Sequence, residues 1–128
     1  MKVLLDTHTL LWAVINPAPL SNAAVTVIDD KANIILISAA SAWEIATKVR
    51  KGKLPGAEAF ERDFLHTLDN LGYALLSIDA EAALRAARLT GNHRDPFDRM
   101  IAAQALALDI PVISKDPKLD QFGVRRIW

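Results

Sequence analysis

Short apolar runs alternate with stretches of helical period along the whole chain. Residues 2–5, 34–38, 73–78 and 110–114 are largely apolar on consecutive positions rather than on alternate ones, the pattern of strands covered on both faces, as in a parallel sheet, and residues 124–127 suit a short terminal strand. Between them lie helical stretches. Residues 10–15 stop before Asn16-Pro17, and Ser21 caps a second helix to about residue 31. Residues 39–51 carry Trp43, Ala46 and Val49 and close on Gly52. Residues 57–71, with Gly72 after them, set Phe60, Phe64, Leu68 and Leu71 on one side. Asp79 opens an alanine-rich helix to residue 89, and Asp95-Pro96 opens another. This alternation predicts an α/β layered fold around a mostly parallel sheet.

Composition narrows the class. At 128 residues with 52% hydrophobic content the chain is long enough for a substantial core and reads as a single domain, residues 1–128. Lysine plus arginine equal aspartate plus glutamate at fifteen each, so the broad positive field of a general nucleic-acid binder is missing and any polyanion contact must be local. Absence of cysteine excludes disulfides, thiol nucleophiles and thiolate zinc sites and fits a reducing compartment. The first charge after Met1-Lys2 is Asp6, too soon for a signal-peptide core or a membrane span, so a soluble, cytoplasmic protein is expected.

The chemistry centres on His93-Arg94-Asp95-Pro96-Phe97-Asp98-Arg99-Met100-Ile101-Ala102. Asp95 suits a helix N-cap, with Pro96 at the first helical position and Asp98 as a capping-box partner. That explanation leaves out the face. Asp98 lies one turn from Ile101, Ala102 and Ala105, on the inward side, where an unpaired carboxylate is costly. In open parallel sheets, sites form beyond the carboxyl ends of strands, and Asp6 and Asp116 stand there. Asp79 stands there too but reads as a cap. Glu44, in the first turns of a helix that leaves a strand end, points to the same edge, although a surface pair with Lys48 at i,i+4 accounts for it equally. Asp6, Glu44, Asp98 and Asp116 are thus expected to share one cleft, with Asp95 as a fifth acid. Crowded carboxylates require cations, and an all-oxygen donor set selects Mg2+ or Mn2+. The chemistry such a site serves is phosphodiester hydrolysis.

Together, Asp6 after the first strand, Ser38-Ala-Ala-Ser-Ala-Trp-Glu-Ile-Ala-Thr-Lys48, Gly52-Lys53-Leu54, His93-Arg94-Asp95-Pro96-Phe97-Asp98-Arg99 and Ser114-Lys115-Asp116 resemble the PIN-domain ribonucleases, and more narrowly the VapC-type toxins of type II toxin-antitoxin systems. The resemblance runs over the whole chain. It implies a three-layer α/β/α fold, an acidic site for Mg2+ or Mn2+, endonucleolytic cleavage of RNA, homodimers and a cognate antitoxin. It also implies that Asp6 is a principal metal ligand with Asp98 as its partner, and that Glu44 and Asp116 complete the quartet directly or through water. Ser38 and Ser114 match hydroxyl positions that bond a ligand carboxylate or a metal water. Asp95 is close enough to compete with Asp98 for the metal, and is assigned here to the N-cap.

A patch of Lys48, Arg50, Lys51 and Lys53, with Arg94 and Arg99 beside the central acids, suits phosphate contacts or an ordinary solvated helix end. His8, His66 and His93 lack metal-ligand spacing; His93 is a loop residue that at most touches substrate. Trp12, Trp43 and Trp128 lie in apolar contexts that suit core or interface packing. Two other functions compete: a phosphohydrolase with Asp6 as covalent nucleophile, which usually wants an acid where this chain has His8, and a binding module whose acids only cap helices.

Overall fold

The computed structural model describes residues 1–128. Its strands are β1 (Lys2–Leu5), β2 (Ile34–Ser38), β3 (Ala74–Leu76), β4 (Val112–Ile113) and β5 (Arg126–Ile127), all parallel, in the order β3-β2-β1-β4-β5. The helices are α1 (Thr7–Ile15), α2 (Asn22–Asp29), α3 (Ala39–Arg50), α4 (Glu58–Arg62), α5 (Phe64–Leu71), α6 (Ala80–Arg88) and α7 (Pro96–Leu108), followed by a 3-10 segment, Pro117–Phe122.

Side-chain alternation in the central strands divides the core in two. Val3, Leu5, Ile35, Ile37 and Ile113 pack on one face with Leu10, Ile45, Phe60, Phe64 and Leu68. Leu4, Leu36 and Val112 pack on the other with Ile101, Ala102, Ala105, Leu119 and Phe122. Helices therefore cover both faces, giving three α/β/α layers, with α6 lying against α7. Continuous apolar runs are what such double coverage requires.

The sequence differs from the fold in several places, and β4 and β5 are shorter than the runs at 110–114 and 124–127. The helix expected over residues 57–71 is two, broken at Asp63 (φ −105°, ψ 28°), and across the break Phe60 and Phe64 stack with ring centroids 5.1 Å apart. Leu71, expected inward, is exposed. β3 is shorter than residues 73–78 and half-open, because as an edge strand it pairs only with β2. The stretch after Asp116, to which the apolar pattern assigns no element, winds into the 3-10 segment that buries Leu119 and Phe122.

β1 is central, and the chain leaves it toward β2 on one side and returns by β4 on the other. Such a switch point opens a crevice at the carboxyl edge. Asp6 follows β1 there, and Ser114 to Asp116 follow β4.

Candidate metal centre at the carboxyl edge of the sheet

Asp6 is 6% exposed and, in extended conformation, caps α1: its Oδ1 accepts the Thr9 N–H at 2.8 Å. The helix thus begins at Thr7, earlier than the apolar pattern indicates. Two hydroxyls tie this turn to its neighbours. Thr9 donates to the Ile113 carbonyl at the end of β4 (2.9 Å), and Thr7 shares a 2.9 Å hydrogen bond with Ser41 of α3, one turn before Glu44. The turn carrying Asp6 is therefore locked against both β4 and α3.

Asp98 lies in the first turn of α7. Burial pushes its carboxyl pKa up, and the charges of Asp95 and Asp6 add to that rise, while the hydrogen bond and charge of His93 oppose it. His93 Nε2 sits 2.7 Å from Asp98 Oδ2. Asp95 is the N-cap, its Oδ1 accepting the N–H groups of Phe97 (2.9 Å) and Asp98 (3.2 Å). Asp116 caps the 3-10 segment through the Lys118 N–H (2.9 Å), and its own N–H donates to Ser114 Oγ (3.0 Å). Ligand atoms of His93, Asp98 and Asp116 all lie within 4.8 Å of one another.

Glu44 is 3% exposed. Its Oε2 pairs with Lys48, the i,i+4 partner expected from the sequence, but its Oε1 is buried with no hydrogen-bond partner. An orphaned carboxylate oxygen is costly to bury. The like charges gathered around Asp98 and Asp116 are what a cation would relieve, and an oxygen-rich donor set suits a hard divalent ion. The residues present fit a Mg2+- or Mn2+-type site.

The four acids do not converge equally. Asp98 and Asp116 come into ligand reach of each other, Asp6 acts on Asp98 electrostatically, and Glu44 stands outside the tight group, held by Lys48. The member unforeseen in the sequence is His93. Its only sequence signal is its place two residues ahead of a helix N-cap, from which the chain folds back over the first turn.

Several expected supporting roles resolve differently. Ser38, fully buried, caps α3 by accepting the Ala40 N–H and donates to Gln104 Oε1, while Gln104 donates to the Ser77 carbonyl. That hydroxyl serves the helix-sheet joint rather than a metal ligand. Ser114 orders the Asp116 turn. Arg99, expected near phosphate, spends its guanidinium on the carbonyls of Ala86, Ala87, Leu89 and His93 and lies over the Phe122 ring at 5.4 Å. Lys48 is committed to Glu44, whereas Arg94, Arg50, Lys51 and Lys53 are exposed. Trp43 is 64% exposed, edge-on to Phe97 at 5.1 Å, and not a core residue. Trp12 and Trp128 are half-buried against each other.

Beside the acids, α3, α6 and α7 frame an open apolar groove of about 230 Å³, lined among others by Ala40, Trp43, Ala83, Ala86, Phe97 and Met100. No helix is long and apolar enough to cross a membrane.

Comparison with known proteins gives matches along the chain. Residues 3–124 match the family model described as PIN domain. A 58-residue stretch is 42% identical to Ribonuclease VapC16 of Mycobacterium tuberculosis, covering 45% of this chain and 41% of that relative, so the match spans less than half of the curated protein. Among solved structures, VapBC2 of Rickettsia felis, crystallised with a promoter DNA fragment, superposes with a TM-score of 0.69 at 17% identity, over 98% of this chain and 97% of that one. VapC20 of M. tuberculosis, described as a Sarcin-Ricin loop cleaving toxin, gives 0.64 at 15% identity over 95% of each chain.

Proposed function

This chain belongs to the PIN-domain family, and from that premise we propose that it is a divalent-cation-dependent endoribonuclease of the VapC toxin kind, hydrolysing RNA phosphodiester bonds. The observation that carries this reading is the meeting of Asp98 and Asp116 at the carboxyl edge of β1 and β4, with Asp6 close enough to raise the Asp98 pKa. Asp6, Asp98 and Asp116 would hold Mg2+ or Mn2+, and Glu44 would complete the set through water. A bound divalent cation supplies Lewis acidity at the phosphoryl group and makes an attacking water more acidic. The chain's own part is preorganisation. Asp6 and Asp116 are fixed as helix caps, and the Thr7–Ser41 and Thr9–Ile113 bonds hold the surrounding segments in register. Arg94, Arg50, Lys51 and Lys53 are free to meet substrate phosphates.

The same reading includes a cognate antitoxin and a homodimer. Support for the first is the apolar groove: Trp43 immediately precedes Glu44 and Phe97 immediately precedes Asp98, so a segment seated on those rings ends beside the acids.

The test is cleavage of total RNA by protein stripped of any bound inhibitor, in Mg2+ and in Mn2+, with the cut ends mapped. Asp6→Asn and Asp98→Asn are expected to lose at least about 100-fold in rate, the scale of removing one electrostatic group from a site, with circular dichroism unchanged. RNA left intact by wild-type protein in both cations overturns the reading.

A further inference from the structure

Resting on the metal-dependent reading above, we propose that His93 is itself a ligand of the divalent cation and tilts the site toward Mn2+ over Mg2+.

Three observations carry this. First, His93 is no free loop residue. Its N–H donates to Gln121 Oε1 at 3.3 Å, beside the Asn92 N–H at 2.8 Å, and its carbonyl accepts from Arg99 Nη1 at 3.0 Å. Second, Gly91 holds the approach to this clamp at φ +121°, and a Cβ there would stand 2.5 Å from Gln121 Oε1, so the loop closes on that amide only with glycine at this position. Third, the clamp delivers Nε2 within 4.8 Å of the ligand oxygens of both Asp98 and Asp116. A backbone pinned on both sides, 28 residues apart in sequence from one of its anchors, is more than a single ion pair with Asp98 requires.

The imidazole has two mutually exclusive tasks here. As a hydrogen-bond donor to Asp98, Nε2 keeps its proton. As a ligand it offers its lone pair, and the ring proton sits on Nδ1. The first arrangement holds Asp98 without a cation and the second applies with one. The donor set then becomes one nitrogen with carboxylate oxygens. Magnesium favours oxygen and keeps its waters, whereas imidazole suits first-row transition ions, so the nitrogen contributes selectivity that the acids alone lack.

The experiment is electron spin-echo spectroscopy of Mn2+-loaded protein, with Mn2+ and Mg2+ affinities measured by calorimetry. The chain has three histidines, so an H8Q/H66Q variant keeps only His93. Wild type and H8Q/H66Q are expected to show nitrogen coupling from a ligated imidazole. H93Q is expected to lose it, together with about tenfold or more of the Mn2+:Mg2+ affinity ratio. Mn2+ bound in a manner that Asp98→Asn abolishes, but without imidazole coupling in wild type, overturns the His93 assignment and leaves the metal site standing. Coupling that persists in H93Q overturns it equally. Wild-type protein that retains no Mn2+ overturns both.

Discussion

At the level of single residues, the molecule keeps charge where burial opposes it. Because the Asp98 pKa is raised in the fold, the folded state binds a proton more tightly than the unfolded chain does. The associated cost is absent below the ordinary carboxylate value of 3.8 and grows as pH rises through the raised folded value. Asp98→Asn is therefore expected to raise the melting temperature at pH 7, with the gain shrinking toward pH 4; equal melting temperatures at both pH values would contradict this. Glu44 is also buried, with one oxygen paired to Lys48 and the other without a partner. Lys48→Met should cost about 1–2 kcal/mol in denaturant unfolding, below the full value for a buried pair because Lys48 is a third exposed.

Among the elements, α7 does double duty. Its Asp98 faces the acidic edge, and its next residue, Arg99, closes the carbonyl end of α6 through the oxygens of Ala86, Ala87 and Leu89 and also holds the His93 carbonyl. A lysine has one compact ammonium and cannot span them. Arg99→Lys is expected to cost about 2 kcal/mol or more by chemical denaturation, with hydrogen exchange rising first in residues 86–95. Much of the element pattern could be read from the chain: Ser21, Asp79 and Asp95 start helices where the sequence places them because caps are local signals, whereas Asp6 caps α1 ahead of the apolar run. Asp98 was legible for a related reason, as a charge on the inward face of an otherwise apolar helix. His93 and Arg99 were not. Their partners, Gln121 and the α6 carbonyls, are brought near only by tertiary packing, and no spacing within residues 93–99 encodes them. The break at Asp63 was hidden likewise, since Phe60, Phe64 and Leu68 satisfy one continuous helical stripe and the divided one equally well.

For the molecule as a whole, parallel strands and two-sided coverage followed from consecutive apolar positions, whereas the strand order did not, because any of several orders buries the same runs. The order is what sets Asp6 beside Asp116. Net charge is zero, so on the proposed reading RNA would be held by the few exposed cations. A Lys51→Ala/Lys53→Ala protein should bind single-stranded RNA more weakly, and the slope of log affinity against log salt should fall by roughly 0.7 for each phosphate contact removed. An unchanged slope would move substrate binding to another face.

The central position of β1 bears on how the centre comes into being during synthesis. Residues 1–78 supply β1, β2 and β3, and with them Asp6 and Glu44, but neither His93, Asp98 nor Asp116. Chains emerge from the ribosome amino end first. On the reading proposed above, a growing polypeptide would bring its acidic set together only once the segment around residue 116 is out. A nuclease assembled in that order would spare the messenger that encodes it until the chain is nearly finished.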